Sequence, residues 1–353
     1  MKTRQATTLV GVKEIARRAN VSIATVDRVL NNRTGVSAKT KEKILEIIKE
    51  LDYQPNIMAR RLASKKTLKF AALIPAVSGE TGYWDAPLKG IKQAAAEIKD
   101  YGINVDIYFF DQNDRSTFIA KGKEILETDY HGILLAPMFE DESLHFIEAC
   151  NNRQIPFVFI NSEIENQNSL CYIGPDLYQS GYLAAHLIKY LVAESQKVLI
   201  VNISKEIDMH HHLLKKEEGF RNYADKYYKN IEIKKIDIRQ TDYRSLKETL
   251  SGLLTKGDID VIFVTNSRVS SVAKYLEEAE TSIKLIGYDF LEENINFLKK
   301  GTIDFLICQK PQEQGYMGIM ALYSYLVHSL SVAKQQYMPI DIITKENYQY
   351  YKN

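Results

Sequence analysis

Residues 12–67 read VKEIARRANVSIATVDRVLNNRTGVSAKTKEKILEIIKELDYQPNIMARRLASKKT. Apolar side chains recur at helical spacing over residues 12–19, and the break NVS follows them. Ser22 is a good N-cap for a second helix, which we expect to run from residue 23 to about residue 30. Two helices joined by a tight break in a basic unit are typical of a helix-turn-helix.

A third helix is predicted next, with Ser37 as its N-cap. Its predicted buried stripe consists of five apolar residues: Ile44, Leu45, Ile47, Ile48 and Leu51. Pro55 is the first proline of the chain and ends this unit. A short segment of good helix formers with four basic residues, 56–66, follows it.

The formal net charge of the 353 residues is +1, but the charge is distributed unevenly. Residues 1–67 hold fifteen Lys and Arg against six Asp and Glu, a net of +9, whereas residues 68–353 carry a net of −8. A basic head on an acidic body predicts that a polyanion binds the head alone.

The composition excludes several classes of protein. A hydrophobic share of 45% with 26% charged residues is ordinary for globular domains, and the length suggests two or three of them. No run approaches the roughly 18 apolar residues of a membrane span, and the first residues lack the apolar region of a secretory signal. Cys150, Cys171 and Cys308 fit neither a metal site nor a disulfide framework. We therefore expect a cytoplasmic protein that does not contact a membrane.

From residue 68 onward, short apolar runs alternate with amphipathic stretches. The nine runs are FAALIP (70–75), INVDIYFF (103–110), GILLAP (132–137), IPFVFIN (155–161), KVLIVNI (197–203), IEIKKIDI (231–238), VIFVTN (261–266), KLIGYD (284–289) and DFLICQ (304–309). Continuous apolar strands between helices predict parallel sheets covered on both faces. Nine such units exceed one common sheet, so we predict two doubly wound lobes side by side.

The head closely resembles that of the lactose-repressor (LacI/GalR) family of bacterial regulators. The matching motifs occur in order and at family spacing: V-S-x-x-T-V-x-R-V-L-N (21–31), V-S-x-x-T-x-x-x-I (36–44), Y-x-P-N (53–56) and A-x-x-L-A (59–63). The rest resembles, more diffusely, the effector domain of that family, which shares its fold with periplasmic sugar-binding proteins. The resemblance implies an all-α helix-turn-helix head and an α/β body of two doubly wound parallel-sheet lobes of periplasmic-binding-protein type.

With this resemblance, the chain divides into a DNA-binding head, a hinge and an effector-binding body. The expected ranges are 1–54 for the head, 55–67 for the hinge and 68–353 for the body, with the N-lobe at 68–188 and 309–338 and the C-lobe at 189–308 and 339–353.

In this motif, the start of the second helix faces base edges in the major groove. Arg28 can pair with guanine O6 and N7, and Ile23 and Ala24 can contact a thymine methyl. Ser22 and Thr25 suit phosphates. A phosphate clamp or a surface salt bridge is the alternative for Arg28.

Asp27 departs from the family, because most relatives carry Ser there. Its carboxylate can accept from cytosine N4 or hold Arg28 in position. The alternative, in which Asp27 turns sideways and pairs with a neighbouring Arg, stays open.

Residues 56–64 resemble the hinge helix of the family, which folds when two subunits meet on the operator. The resemblance implies that Leu62 inserts into the minor groove. Asn56 is then the N-cap, Ala59 and Ala63 permit close approach, and Arg60 neutralises phosphate. The alternative is a basic linker with Leu62 packed on the body.

Polar residues at the ends of predicted strands mark the expected ligand cleft. The resemblance assigns contacts with ligand hydroxyls to Asn266, Asp289 and Gln309, since amides and carboxylates suit a polyol. Further expected cleft residues are Tyr83, Trp84, Asp111, Asp176 and Lys216.

Each of these residues also has an ordinary structural interpretation. Asp111 and Asp176 can cap helices, and any one of Asn266, Asp289 and Gln309 can be a loop cap or a turn residue. Tyr83 and Trp84 can be loop aromatics pinned on the surface. Lys216 occupies a position that usually carries Arg, so a forked ligand contact is in doubt.

The run His210-His211-His212 invites a metal hypothesis, but three adjacent residues cannot all face one ion on regular structure. We expect residues of the cleft rim or of the solvent-exposed surface, no metal and no cofactor. The sequence also contains none of the short motifs of hydrolases, nucleotide-binding enzymes or zinc proteases, so no enzyme activity is expected.

We therefore expect a repressor that binds a palindromic operator as a homodimer, since one head reads only a half-site. A sugar-like effector in the cleft should control it allosterically. Two alternatives are a carbohydrate-binding transport component and a carbohydrate-acting enzyme with an accessory DNA-binding head.

Overall fold

The computed structural model of the chain describes residues 12–30, 34–51, 67–78, 82–192, 197–205, 207, 211–254 and 259–353. The chain forms two units, divided between Ala63 and Ser64. No helix among these residues is both long enough and apolar enough to cross a membrane.

In the first unit, the described residues form three helices: α1 (Val12–Ala19), α2 (Ile23–Leu30) and α3 (Ala38–Glu50). Their shared core includes Ile15, Val26 and Ile44. The predicted cap of α3 is confirmed, because the Ser37 hydroxyl accepts a hydrogen bond from the Thr40 backbone N–H. Leu45, predicted in the buried stripe, is instead exposed, because it lies one position beyond the narrow face that meets α1 and α2.

The second unit alternates strands and helices. Its strands are β1 (Leu68–Pro75), β2 (Ile103–Phe110), β3 (Gly132–Leu135), β4 (Phe157–Ile160), β5 (Cys171–Gly174), β6 (Lys197–Ile203), β7 (Glu232–Ile238), β8 (Val261–Val264), β9 (Lys284–Tyr288), β10 (Phe305–Cys308), β11 (Gln335–Tyr337) and β12 (Asp341–Ile343). Its helices are α4 (Asp85–Lys99), α5 (Arg115–Leu126), α6 (Glu140–Asn152), α7 (Leu177–Leu187), α8 (His211–Tyr227), α9 (Tyr243–Leu254), α10 (Val269–Glu278), α11 (Glu292–Lys300) and α12 (Pro311–His328).

The strands form two six-stranded sheets among the described residues, one in each lobe. The N-lobe sheet has the order β11-β5-β4-β3-β1-β2, and the C-lobe sheet has the order β12-β10-β9-β8-β6-β7. All pairs are parallel except β10 with β12. The predicted fold class, a helical head followed in sequence by two doubly wound parallel-sheet lobes, is confirmed.

The interior strands are buried on both faces, which explains their continuous apolar sequence. Strand β3 is buried along its whole length, whereas the edge strands β2 and β7 contain several exposed residues. Helices cover both faces of each sheet, so that one hydrophobic core fills the N-lobe and two clusters fill the C-lobe. Cys150, Cys171 and Cys308 are buried free thiols in these cores.

Helix α7 packs in the C-lobe, which corrects the expected N-lobe segment 68–188. Ala184, Leu187 and Ile188 belong to a C-lobe core cluster with Phe220 of α8. The chain therefore first crosses between the lobes where β5 gives way to α7, about a dozen residues earlier than expected. It crosses again between β10 and α12, and a third time between β11 and β12.

Two glycines allow α7 and α8 to touch through their backbones. A Cβ added at Gly181 would lie 1.8 Å from the Lys216 carbonyl oxygen, and one at Gly219 would lie 1.9 Å from the Tyr178 carbonyl oxygen. Both distances are far below van der Waals contact, so no other residue fits without moving a helix. This close packing fixes the position of Lys216 on α8, whose side chain lines the space between the lobes.

Candidate ligand cleft and nucleic-acid interface

A cleft between the two lobes collects polar side chains from the carboxyl ends of both sheets, as expected for doubly wound folds. The N-lobe wall contains Tyr83, Trp84, Gln112, Asn113, Met138 and Asn161. The C-lobe wall contains Ile203, Ser204, His212, Lys216, Asn266, Ser267, Arg268, Asp289 and Gln309. Six of the eight sequence-predicted cleft residues therefore line one space.

Asp289 is the buried carboxylate of the cleft. It follows β9 in the left-handed backbone region, with φ of 75°. Its side chain is 6% exposed, and Oδ1 has no hydrogen-bond partner among the described residues. Burial raises the pKa of this carboxyl, and the nearby Lys216 ammonium partly opposes the shift. Such a costly group is retained where a ligand completes its hydrogen bonds.

Lys216 projects from α8 into the same space and is almost completely buried. Its ammonium donates to the Thr265 carbonyl oxygen at 3.1 Å and lies 3.6 Å from the centre of the Tyr288 ring. Burial lowers the pKa of Lys216, with Asp289 opposing the shift. The carbonyl and the ring hold the ammonium in one place beside Asp289.

Gln309 directly follows β10 and is 2% exposed. Its Nε2 has no hydrogen-bond partner among the described residues. A buried amide donor without a partner costs about 1–3 kcal/mol, so a ligand acceptor in the cleft would remove a real penalty. Asp289 and Gln309 thus offer one acceptor and one donor to the same space.

The aromatic wall faces these groups from the N-lobe. The rings of Tyr83 and Trp84 lie edge to face, 5.2 Å apart, and both are buried. The Tyr83 hydroxyl donates to Asn161 Oδ1 at 2.7 Å. Flat rings with one bound hydroxyl suit the apolar face of a polyol.

A chain of buried hydrogen bonds joins the two walls. The Asn161 backbone N–H donates to Gln314 Oε1 at 3.0 Å, and Gln314 Nε2 donates to the Gln309 carbonyl oxygen at 2.8 Å. Gln314 lies in the first turns of α12, directly after the second crossing. Tyr83 and Gln309 are therefore connected through Asn161 and Gln314.

Asn266 lines the cleft, and its side chain also bonds the backbone of two neighbouring segments. Its Nδ2 donates to the Ile203 carbonyl oxygen at 2.6 Å, and its Oδ1 accepts from the Arg268 backbone N–H at 3.2 Å. Asn266 therefore closes a turn, as the structural alternative predicted, and it also lines the cleft.

Asp111 and Asp176 do not line this cleft. Asp111 Oδ1 accepts from the Asn113 backbone N–H at 2.8 Å in an exposed turn, and Gln112 and Asn113 face the cleft instead. Asp176 Oδ1 caps α7 by accepting from the Gln179 backbone N–H at 2.8 Å. The expectation that these two side chains reach the cleft is therefore wrong, because each binds the backbone of its own turn.

Sequence reasoning missed Asn161, Ser204 and Arg268. Asn161 and Ser204 directly follow β4 and β6, so their position at the carboxyl ends of parallel strands is the signal that could have identified them. Of the histidine run, His212 lines the cleft, whereas His210 and the side chain of His211 lie outside the described residues. The described residues contain no group of His, Cys, Asp and Glu arranged to hold a metal ion.

The helical head presents α2 as an exposed face. Asn20 turns the chain between α1 and α2 with φ of 56°, a conformation that Asn tolerates well. The predicted cap of α2 is confirmed, since the Ser22 hydroxyl accepts from the Thr25 backbone N–H at 3.2 Å. Val26 and Val29 are buried, so Ile23 and Ala24 project outward from the first turn.

Arg28 extends from the same exposed face. A Cβ added at Gly35, where φ is 93°, would lie 2.6 Å from Arg28 Nη1, so the guanidinium passes directly over this glycine. Asp27 is half-buried and has an interaction partner of its own. On α1, Glu14 binds Arg17 and Arg18, and these hydrogen bonds lower the pKa of Glu14 to about 2. The hinge residues Asn56, Ala59, Arg60, Leu62 and Ala63 lie outside the described residues.

Comparisons with known proteins agree with both units. Residues 11–56 match the family described as bacterial regulatory proteins, lacI family, and residues 71–329 match the periplasmic binding protein domain. The HTH-type transcriptional regulator RegA of Clostridium acetobutylicum is 31% identical over 185 residues, which is 51% of this chain and 51% of that protein. The chain thus spans about half the length of the curated relative that it matches.

Two solved structures resemble the body. The crystal structure of a candidate LacI transcriptional regulator from Bacteroides fragilis is 32% identical, with a TM-score of 0.73, and covers 81% of this chain and 100% of its own. GanP, a glucose-galactose binding protein from Geobacillus stearothermophilus, is 24% identical, with a TM-score of 0.70. It covers 80% of this chain and 99% of its own, and at this identity it supports the fold alone.

Proposed function

This chain belongs to the LacI family of bacterial regulatory proteins, and we propose that it is a transcriptional repressor whose operator binding is controlled by a sugar or sugar derivative in the interlobe cleft. One observation carries the proposal. Asp289 and Gln309 both line the cleft, are more than nine-tenths buried, and each carry a buried polar atom without a hydrogen-bond partner among the described residues. An acceptor and a donor beside the Tyr83 and Trp84 rings match a ligand that carries both hydroxyls and an apolar ring face.

Helix α2 carries the residues that we expect to contact the operator. Ile23 and Ala24 stand at the start of the helix with their side chains exposed, and Arg28 follows one turn later. This arrangement suits base contact in a major groove, with Arg28 forked on a guanine. The hydroxyls of Ser22 and Thr25 lie within 2.9 Å of each other at the amino end, where a phosphate fits.

Control by ligand requires two states of the body with different operator affinities. The chain crosses three times between the lobes, and the bond between Gln314 Nε2 and the Gln309 carbonyl oxygen spans the second crossing. A ligand held by both walls therefore favours one relative position of the lobes. We propose that two chains act as a dimer in the cytoplasm and that this lobe position sets how their hinges, around Leu62, meet the operator.

The test separates the two activities of one chain. A thermal-shift screen of monosaccharides, sugar phosphates, uronic acids and nucleobases identifies the ligand, and fluorescence anisotropy on the upstream DNA of the gene measures operator binding with and without it. Arg28→Ala should weaken operator binding about 10-fold to 100-fold and leave ligand affinity unchanged. Asp289→Ala should abolish ligand binding and leave operator affinity unchanged.

If the wild-type protein bound no DNA of this upstream region, the proposal that it is a repressor would be refuted. A ligand response that survives in Asp289→Ala would instead place the ligand outside the cleft and leave the DNA-binding proposal standing.

A further inference from the structure

A second cavity, of about 380 Å³, lies beside the first crossing between the lobes and apart from the cleft described above. The residues that give it its chemistry are Glu163, Tyr172, Asp176, Tyr178, Lys215 and Tyr337. None of these residues lines the interlobe cleft around Asp289. It is therefore a separate space with its own walls.

Both lobes build this cavity. Tyr172 lies on β5 and Tyr337 on β11, neighbouring strands of the N-lobe sheet. Asp176 and Tyr178 begin α7, which packs in the C-lobe. A molecule bound between them contacts both lobes at once.

The cavity carries an excess of negative charge. Lys215 is already matched, since its ammonium lies 3.3 Å from Glu165 and 3.7 Å from Glu218. Glu163 Oε1 accepts from Gln335 Nε2 at 3.3 Å, which is a neutral partner. Asp176 likewise accepts only a backbone N–H among its described bonds. Two carboxylates therefore face the cavity without a described cation.

The negative charge of these carboxylates affects the pKa values of the tyrosines that line the cavity. Burial raises the pKa of Tyr337, and the charges of Asp176 and Glu163 raise it further. Burial and the charge of Glu163 raise the pKa of Tyr172 in the same way. The rings of Tyr172 and Tyr337 and the carboxylates of Glu163 and Asp176 therefore surround the same cavity.

The rings of Tyr172 and Tyr337 add aromatic surface to the cavity beside the carboxylates. They lie 6.3 Å apart at an angle of 76°, so that one presents its edge where the other presents its face. Aromatic faces beside carboxylates attract organic cations, because the ring quadrupole and the negative charge add. A metal ion requires clustered ligands instead, and none of the described residues form such a group.

We propose that this cavity is a second ligand site, which takes an organic ammonium ion between Glu163 and Asp176 against the tyrosine rings. Because its two carboxylates belong to different lobes, the bound cation holds the lobes in the position seen here. Binding at this site and binding in the interlobe cleft are then thermodynamically coupled, and the coupling is reciprocal.

Isothermal titration calorimetry on the full chain tests the site, with choline and ethanolamine as the probes. We expect saturable binding of at least one of them. The uncharged isostere of choline, 3,3-dimethylbutan-1-ol, should bind at least about tenfold more weakly, since it lacks the charge-assisted contacts. The two amines distinguish a quaternary from a primary ammonium group.

Two isosteric variants locate the bound cation. Glu163→Gln and Asp176→Asn should each weaken amine binding at least about tenfold, whereas Glu148→Gln, on the exposed face of α6, should leave it unchanged. Asn is as good an N-cap as Asp, so Asp176→Asn keeps α7 intact. Asp289→Ala, in the cleft, should still bind the amine.

Three results would each overturn the proposal: no saturable binding of either amine, equal binding in the two isosteric variants and the wild type, or displacement of the amine by equimolar Mg²⁺.

Discussion

Asp289 combines three features that rarely occur together in one residue. Its backbone lies in the left-handed region, its carboxylate is buried, and one oxygen has no described partner. Each feature costs free energy, of the order of 1–3 kcal/mol. The rest of the protein compensates for that cost, for example through Asn294, whose Nδ2 donates to the Asp289 carbonyl oxygen at 3.0 Å.

The ionisation of Asp289 gives ligand binding a specific pH dependence. Burial raises the pKa of the carboxyl to about 6, so the group is ionised above that pH and protonated below it. The ionised form accepts from two ligand hydroxyls, whereas the protonated form loses part of this capacity. We expect ligand affinity to fall by up to about tenfold per pH unit below 6.

Calorimetry of the ligand found in the thermal-shift screen, between pH 5 and pH 8, measures this dependence. Asp289→Asn is the matched control, with weak and pH-independent binding. A wild-type affinity that stays constant over this range would contradict the assignment of Asp289 to the ligand.

At the residue scale, the sequence identified most of the cleft. The family resemblance predicts Asn266, Asp289 and Gln309, and their positions near strand ends agree with it, since parallel strands all present their carboxyl ends at one edge. Asp111 also follows a strand, yet its side chain binds the backbone two residues later and does not line the cleft. Whether an Asp faces a ligand or its own turn depends on local geometry that residue type alone does not determine.

At the element scale, all nine apolar runs are strands, and the short strands β5, β11 and β12 escaped prediction. The last two have three residues each, too few for an apolar pattern to stand out. The lobe to which α7 belongs could not be predicted either. An amphipathic helix has the same sequence pattern whichever sheet it covers, and only Gly181 hinted at a close helix partner.

The glycine contact between α7 and α8 predicts a large effect of a small substitution. In Gly181→Ala, the added methyl group meets the Lys216 carbonyl oxygen, so the helices must separate. We expect a loss of about 3 kcal/mol in the free energy of unfolding of the body and weaker ligand binding, because α8 carries Lys216. Urea denaturation followed by circular dichroism measures the first effect.

Gly252→Ala provides the control for this experiment. Gly252 lies in α9 with nothing within 4 Å of its added Cβ, so alanine should stabilise the helix by up to about 1 kcal/mol. Equal denaturation midpoints for the Gly181→Ala and Gly252→Ala variants would show that α7 and α8 tolerate separation.

At the scale of the whole molecule, charge separates the two activities. Residues 1–67 carry a net charge of +9 and residues 68–353 a net of −8. Lys and Arg that neutralise phosphates release counterions, so operator affinity should fall on the order of 10³-fold between 50 and 200 mM salt. Ligand affinity, which depends on buried groups in the cleft, should change less than about twofold over the same range.

Anisotropy titrations at several salt concentrations, paired with calorimetry of the ligand, check this contrast. A decrease in operator affinity of less than about tenfold would mean that few phosphates are contacted. Parallel salt dependences for DNA and ligand would mean that the two activities share one electrostatic origin.

The interleaving of the lobes also governs how the body can form. β11 pairs with β5, although more than 160 residues separate them, and α12 packs on the N-lobe after the whole of β6–β10 has been made. During synthesis, the N-lobe therefore waits for residue 337 before its sheet is complete, and the C-lobe waits for β12. Contacts this distant along the chain slow folding and prolong the exposure of unpaired strand edges. The body should thus mature as one late, cooperative event rather than lobe by lobe.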